Sequence, residues 1–232
     1  MNIILEGLVK AFWLIVSLDR EVYEIMFLSL RVSGTAVLIG ALLGVPSGAT
    51  VGLKEFFGKR FLMSIINTLM GLPPVVVGLL VYLLFSTSGP LGVFQLLYKP
   101  DVMIIAQLIM VIPIVMGVTI SSVSSVNKAI REKALSLGAT NWQMTLKVLK
   151  EARLGILTAL IVSFGAAISE VGAVMIVGGN IRWATRVLTT AIVFETELGE
   201  FGLAIALGLI LLLLAFVINW VLTYLQWSGL RR

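Results

Sequence analysis

The hydrophobic positions of this chain fall into long, unbroken runs. Four runs without a charged residue cover residues 32–53, 61–85, 102–126 and 201–227, and each reaches the length of about 20 residues that a helix needs to cross a bilayer. A fifth run, residues 154–181, is equally long and contains one charge, Glu170. The pattern therefore predicts an all-α membrane protein with five transmembrane helices.

The first residues follow a different pattern. In residues 3–18, Ile4, Leu8 and Phe12 recur at helical spacing opposite Glu6 and Lys10. This favours an amphipathic helix within residues 1–19 that lies in the membrane interface, although a sixth, short span is the alternative. Because no linker, repeat or low-complexity segment interrupts the chain, residues 1–232 are predicted to form a single transmembrane domain.

Composition narrows the range of functions. The chain is 59% hydrophobic and 12% charged, whereas soluble domains average about 25% charged residues. It contains no cysteine and no histidine, which excludes thiol nucleophiles, disulfides and the commonest metal ligands. We therefore predict no catalytic residue and no metal site.

One segment, residues 52–60, superficially resembles a phosphate-binding loop. It has one residue too many between its glycines, and Arg60 stands where such a loop places a Mg²⁺-binding Ser or Thr. A basic turn between two spans explains the segment better. We predict that this chain is not an enzyme and holds no cofactor, so energy must come from another chain.

Basic residues predict the orientation, since cytoplasmic loops are rich in Lys and Arg. Eleven of the 17 basic residues fall in three segments that a five-span arrangement places on one side. The opposite loops, 86–101 and 182–200, are poor in basic residues. We therefore expect the C-terminus to be cytoplasmic and residues 19–24 to lie outside. The net charge of +5 then reflects membrane topology rather than nucleic-acid binding. The eleven residues are Lys54, Lys59, Arg60, Lys128, Arg131, Lys133, Lys147, Lys150, Arg153, Arg231 and Arg232.

The cytoplasmic segment 127–153 is predicted to contain two short helices. The first should end at Gly138 with a left-handed residue, and the second should begin after Thr140, which forms a capping box with Gln143. Solvated loops that only bridge two spans do not need large apolar side chains. A docking partner is the better explanation for four of them, Leu135, Leu137, Trp142 and Leu146.

Within this segment, residues 132–138 read EKALSLG and resemble the EAA-x3-G signature of ABC-importer permeases. In that family the loop forms a coupling helix that sits in a groove of the ATP-binding subunit. The resemblance implies Glu132, Ala134 and Gly138 as the matching positions. It implies contacts from Ser136, Leu137 and Ala139 as well. One departure is the end of the fuller signature, I-x-L-P, for which residues 148–151 read VLKE.

Three further segments are similar to the molybdate/tungstate group of these permeases and closest to the tungstate type. They read NTLMGLPPVVVG at 67–78, STSGPLG at 86–92 and ISEVGAVMIVGGNIR at 168–182. The resemblance implies the type I ABC importer permease fold in the cytoplasmic membrane. It also implies a second copy of the chain, ATPase subunits that bind ATP and Mg²⁺, and an extracytoplasmic substrate-binding protein.

The expected function is thus passage of an oxyanion by alternating access. Tungstate is the first candidate, and molybdate, sulfate or an organic solute are alternatives. An ion-coupled carrier is a competing class, but carriers usually show internal repeats and several polar groups at the midplane. Neither feature is evident in this sequence.

Some residues inside the spans suggest a pathway. Pro73 and Pro74 remove two backbone donors from the second span, which predicts a kink that either lines the pathway or is purely architectural. The same alternatives apply to Pro113. Separately, small residues let helices approach closely, and we expect one four-residue repeat to pack within the chain rather than against a second copy: Gly40, Gly44, Gly48 and Gly52.

Charged and polar residues near the end of the fourth span are further candidates. Glu170 is interpreted as a gate or as an anchor for a basic residue such as Arg182, the alternative being a side chain that reaches interfacial water. Downstream, Asn180, Arg182 and Arg186 carry donors that suit a tetrahedral oxyanion. They could instead meet the binding protein.

Overall fold

The computed structural model describes residues 3–228, and that part of the chain is helical, with no β-strand. A single 3-10 turn, Gly92–Phe94, adds to the α-helices. The α-helices in chain order are α1 (Ile3–Val16), α2 (Arg20–Leu53), α3 (Lys59–Met70), α4 (Pro74–Phe85), α5 (Pro100–Ser124), α6 (Lys128–Ser136), α7 (Asn141–Glu151), α8 (Arg153–Ile168), α9 (Gly172–Gly178), α10 (Leu188–Glu197) and α11 (Phe201–Ser228).

Three helices, α2, α5 and α11, are each long and apolar enough to cross a membrane alone. The last two follow the predicted spans within two residues. Helix α2 is longer than predicted, because it begins at Arg20, where the Asp19 carboxylate accepts a hydrogen bond from the N–H of Val22 at 3.0 Å. Its 34 residues span about 51 Å, so α2 extends beyond the hydrocarbon core at one or both ends.

Helices α2 and α5 pack closely along a row of glycines. A Cβ added to Gly40 would lie 2.5 Å from Cγ1 of Val111, and one added to Gly48 would lie 2.8 Å from the carbonyl oxygen of Met116. Gly44 and Gly52 face the same helix. The prediction that this row packs within the chain is confirmed.

The second predicted span is not one helix. Helix α3 ends at Met70, α4 begins at Pro74, and their axes differ by 94°. Pro73 flanks the first turn of α4 with φ −64°, where the missing proline N–H removes no helical hydrogen bond. The predicted change of direction at the prolines is confirmed, and it is sharp enough for them to begin a new helix. That this turn lines the pathway stays a prediction.

The fourth predicted span is also interrupted. Helix α8 has 16 residues, or about 24 Å, and it ends at Ile168. A three-residue break containing Glu170 then precedes α9. The expectation of an unbroken helix over 154–181 is wrong, and Glu170 lies in the break. At its other end α8 meets α7 with a bend of 64°.

The basic segments lie together at one end of the molecule, which we call the basic end. There Ala49 of α2, Val123 of α5 and Val148 of α7 form one buried cluster. At the same end, the side-chain amide of Gln226 in α11 donates to the carbonyl oxygen of Leu154 at 3.0 Å. Arg231 and Arg232 lie outside the described residues. Which side of the membrane holds this end stays a prediction.

Helix α1 packs on α11 through its small residues. Gly7 lies against Ile205, and both Gly7 and Ala11 are buried. The predicted apolar face points the other way, since Ile4, Leu8 and Phe12 are exposed. That face is exposed, and the interfacial location of α1 stays a prediction.

Candidate functional site

The segment between α5 and α8 folds into the two short helices that the sequence predicts. Helix α6 begins after Asn127, whose side-chain oxygen accepts from the N–H of Ala129 at 2.9 Å. It ends before Gly138, which has φ +82°, the left-handed conformation that glycine adopts without a Cβ penalty. The N–H of Ala139 then donates back to the carbonyl oxygen of Ala134 at 3.1 Å.

Helix α7 begins with the predicted capping box. The N–H of Gln143 donates to Oγ1 of Thr140 at 3.3 Å, and the N–H of Thr140 donates to Oε1 of Gln143 at 2.8 Å. Two contacts attach the segment to the membrane helices: Val148 is fully buried, and Nη2 of Arg131 donates to the carbonyl oxygen of Val123 at 2.8 Å. The segment is thus held in one place at the basic end.

The outer face of this segment is apolar and exposed. Leu137 is 78% exposed and Trp142 is 69% exposed. Leu135 and Leu146 are exposed as well. We call these four residues the coupling surface. Because exposed apolar side chains of this size usually mark an interaction site, the coupling surface is a candidate docking site.

The remaining residues of the signature surround the coupling surface. Glu132, Ser136 and Gly138 are exposed, while Ala134 and Ala139 are partly buried. The Ser136 hydroxyl donates to the carbonyl oxygen of Lys133 at 3.0 Å, so it caps its own helix.

A cluster of charges lies at the opposite end of the molecule. Nε and Nη2 of Arg182 donate to the two carboxylate oxygens of Glu21 at 2.8 and 2.6 Å. This carboxylate raises the pKa of the Arg182 guanidinium, mainly through the hydrogen bonds. Arg186 is more buried, with its guanidinium carbon 4.5 Å from the Phe194 ring centroid and Nη1 3.8 Å from Glu21. The ion pair between Glu21 and Arg182 joins the first turn of α2 to the segment before α10.

A tight turn presents these arginines. Oγ1 of Thr185 donates to the carbonyl oxygen of Gly178 at 2.5 Å and accepts from the N–H of Ile181 at 3.0 Å. Asn180 has φ +49°, and its Oδ1 is buried without a hydrogen-bond partner among the described residues. The turn thus holds Asn180 and the two arginines at the same end of the molecule, and their contact with an oxyanion stays a prediction.

Two cavities of about 610 and 520 Å³ flank the charge cluster. Both are lined by Glu21, Arg182 and Arg186, and Arg20 and Arg31 also line the larger one. Arg182 and Arg186 reach both cavities, so those of their donors that Glu21 does not engage could meet an anion or an acidic protein surface.

Glu170 has a different partner from the one expected. Its Oε1 accepts a hydrogen bond from the N–H of Ala173 at 2.9 Å and so caps the first turn of α9. Thr189 in turn donates to the Glu170 carbonyl oxygen at 2.8 Å. The suggestion that Glu170 anchors Arg182 is wrong, because that guanidinium pairs with Glu21. A role for Glu170 as a gate stays a prediction.

Residues 40–227 match the family described as binding-protein-dependent transport system inner membrane component. The chain belongs to this family. It is therefore an inner membrane component of a transport system, and the signature in α6 and the exposed coupling surface fit that membership.

Individual relatives agree with the family. This permease is 43% identical over 226 residues, 97% of the chain and 99% of the relative, to the tungstate uptake system permease protein TupB of Peptoclostridium acidaminophilum. It is 48% identical over 201 residues, 84% of the chain and 87% of the relative, to a probable anion ABC transporter permease protein of Haloferax volcanii.

A solved structure confirms the fold. The permease superposes with a TM-score of 0.75 on a chain of a bacterial alginate ABC transporter in complex with an alginate pentasaccharide-bound periplasmic protein. The match covers 94% of this chain and 85% of that chain at 20% identity. The fold is that of a type I ABC importer permease, as predicted.

The permease departs from the signature where the proline is missing. Glu151 stands at that position, and its carboxylate oxygen lies 2.7 Å from Nζ of Lys147. The ammonium lowers the pKa of the Glu151 carboxyl. Helix α7 still ends here, at a 64° bend into α8. The bend that the proline would favour forms without it.

Sequence reasoning missed three residues of this permease. Glu21, the partner of Arg182, gave no signal because 161 positions separate the two. Gln107 is buried in α5 and donates to the carbonyl oxygen of Ala167 at 2.9 Å, and Ser33 of α2 donates to the same oxygen at 3.2 Å. An amide inside an apolar span was the available signal for Gln107.

Proposed function

We propose that two copies of this permease form the pathway of an ATP-driven importer that carries tungstate into the cell. Each copy would bind one ATPase subunit at the coupling surface, and ATP and Mg²⁺ would bind to that subunit. An extracytoplasmic binding protein would deliver the oxyanion at the Arg182 end. The basic end, with the C-terminus, would then be cytoplasmic.

The observation that carries this proposal is the coupling surface. Its side chains are large, apolar and exposed, yet the segment beneath them is fixed by Arg131 and Val148. A surface that is both apolar and firmly attached to α5 can transmit a push from a docked subunit to the spans. Motion of the ATPase subunits would therefore move α5 and α8 as rigid bodies.

Tungstate is proposed because of the relatives. The relative that this permease matches over 97% of its length is a tungstate uptake permease, and the relative from Haloferax volcanii is a probable anion permease. The arginines that line the two cavities beside Glu21 have the charge that an anionic substrate requires. Arg182 and Arg186 would steer the anion or contact the binding protein.

Substrate-dependent ATPase activity of the reconstituted complex tests the substrate. Each anion is supplied on its own binding protein, with tungstate, molybdate and sulfate in separate reactions. Tungstate should stimulate ATP hydrolysis most. Greater stimulation by molybdate or sulfate would refute the tungstate assignment, and no stimulation by any oxyanion would refute the substrate class.

Copurification tests the docking site. Gly138→Trp places a large side chain beside the coupling surface, and the ATPase subunit should no longer copurify. Gly199→Trp is a matched control: both glycines have positive φ, +82° and +78°, and neither has an atom within 4 Å of an added Cβ. Retention of the ATPase by the Gly138 variant, or its loss from both variants, would contradict docking at this segment.

A further inference from the structure

Helix α3 carries a polar face that the function described so far does not use. Arg60, Ser64, Asn67 and Thr68 are exposed, and their spacing places them on one side of the helix. The adjoining face, which includes Ile65, is apolar and exposed. Because an amide facing lipid is unfavourable, this polar face must meet water or another polar surface.

The end of α5 continues the polar surface. Ser121 and Ser124 in its last turn are exposed, as is Ser125 directly after it. A cavity of about 460 Å³ lies between these serines and Asn67. A second cavity, shallow and open, with a volume of about 480 Å³, runs along α3 past Ser64. Asn67 lines both cavities, so they adjoin.

Some donors on this surface are engaged, and others are free to bind a ligand. The two engaged hydroxyls belong to Thr68, which donates to the carbonyl oxygen of Ser64 at 2.9 Å, and to Ser125, which donates to the carbonyl oxygen of Ser121 at 2.8 Å. In residues 3–228, by contrast, the side chains of Ser64, Asn67, Ser121 and Ser124 form no hydrogen bond. Of the described residues that line the two cavities, Arg60 alone is charged.

The polar face of α3 is as long as about a third of the thickness of the hydrocarbon core. Arg60 and Asn67 are seven residues apart, or about 10 Å along the helix axis, and the chain then turns by 94° between α3 and α4. The hydrocarbon core is about 30 Å thick. The surface therefore begins at the basic end and stops where the helix breaks.

We propose that this surface is the wall of a water-filled passage through which the tetrahedral oxyanion leaves at the basic end. This proposal rests on the proposed function and assigns residues to the exit route of its substrate. A fully ionised oxyanion only accepts hydrogen bonds, and the free groups of Ser64, Asn67, Ser121 and Ser124 supply donors. Neutral donors hold an anion less strongly than guanidinium groups do, which favours release. Arg60 at the mouth would disfavour cations.

The absence of cysteine from the sequence allows a direct test by thiol labelling. Ser64→Cys, Asn67→Cys and Ser121→Cys are made one at a time in the complete transporter, in inside-out vesicles. A membrane-impermeant thiol reagent with a sulfonate group is compared with one that carries a quaternary ammonium. Ile65→Cys is the matched control, because Ile65 is two positions from Asn67 but lies on the exposed apolar face of α3.

The three passage variants should react with the anionic reagent at least about tenfold faster than Ile65→Cys. A thiol reacts as the thiolate, apolar surroundings raise its pKa, and each pKa unit means tenfold less thiolate. The anionic reagent should also react faster than the cationic one, and Arg60→Gln should reduce that preference.

Two results would overturn the passage. One is labelling of Asn67→Cys as slow as that of Ile65→Cys. The other is an Asn67→Cys variant that resists both reagents but forms a disulfide between two copies, which would make this face a dry dimer contact. Labelling needs no substrate, so it can succeed even where tungstate fails to stimulate ATP hydrolysis. The two proposals therefore fail separately.

Discussion

Arg182 and Glu21 form a two-point ion pair across 161 positions of the sequence, with nitrogen–oxygen distances of 2.8 and 2.6 Å. Bidentate pairs of this kind fix orientation as well as proximity. The pair connects the beginning of α2 to the turn that presents Arg186. It therefore couples the first long span to the cavities at the opposite end from the coupling surface.

We predict that Arg182→Gln and Glu21→Gln each impair stimulation of ATP hydrolysis by the loaded binding protein, because the turn loses its attachment to α2. The double variant should be no worse than the single ones, since one pair is lost in each case. An arginine guanidinium is charged over the physiological pH range, and Glu21 raises the pKa of Arg182 further. Stimulation should consequently show no pH dependence that comes from Arg182.

The nearby pair Arg20–Glu24 provides the control. It joins residues four apart on one helix, and the Arg20 side chain is 86% exposed. Glu24→Gln should leave stimulation unchanged, because exposed pairs within a helix contribute little. An equal defect in Glu24→Gln would show that general surface charge, rather than the α2 attachment, is what the binding protein needs.

The glycine row on α2 gives a stability prediction. Gly48→Ala should destabilise the permease by about 1–3 kcal/mol, because the new Cβ would lie 2.8 Å from a backbone oxygen of α5, which cannot easily move. Gly34→Ala, on the same helix with no atom within 4 Å of the added Cβ, should be neutral or stabilising by up to about 1 kcal/mol. Thermal unfolding in detergent at one scan rate compares them, and equal midpoints would contradict the close approach of α2 and α5.

The coupling surface predicts a variant that separates docking from folding. Leu137 is 78% exposed, so Leu137→Ser should change the free energy of unfolding by less than about 0.5 kcal/mol. Affinity for the ATPase subunit should fall about tenfold or more if Leu137 is buried on docking. Val93→Ser, equally exposed at 82% but at the opposite end, should bind the ATPase normally. Unchanged affinity in Leu137→Ser would remove this residue from the interface.

The outcome for individual elements shows which features can be read from a sequence. Helices α5 and α11 follow the apolar runs closely, because a long uncharged run in lipid can satisfy its backbone only as a helix. The cap at Thr140 and the left-handed Gly138 were equally predictable, since both depend on residues within one turn. Local chemistry determines these features.

The break between α8 and α9 was not predictable in the same way, whereas Pro73 and Pro74 signalled the break between α3 and α4. Backbone groups at the end of α8 are satisfied from other helices: the carbonyl oxygen of Ala167 accepts from Ser33 and Gln107, and that of Glu170 accepts from Thr189. These partners lie between 19 and 134 positions away, so no local pattern reveals them. The pairing of Arg182 with Glu21 was missed for the same reason.

Glu170 allows its charge and its hydrogen bond to be tested separately. Glu170→Gln keeps an oxygen that can accept from the N–H of Ala173, as Oε1 does now at 2.9 Å, but removes the negative charge. Glu170→Ala removes both, and loss of such a cap destabilises by about 1 kcal/mol. If Glu170 acts as a gate, the Gln variant should assemble and unfold like the wild type while its tungstate uptake changes. The Ala variant should lose stability as well. Normal uptake by the Gln variant would leave Glu170 with the single role of capping α9, and the break between α8 and α9 would then be architectural.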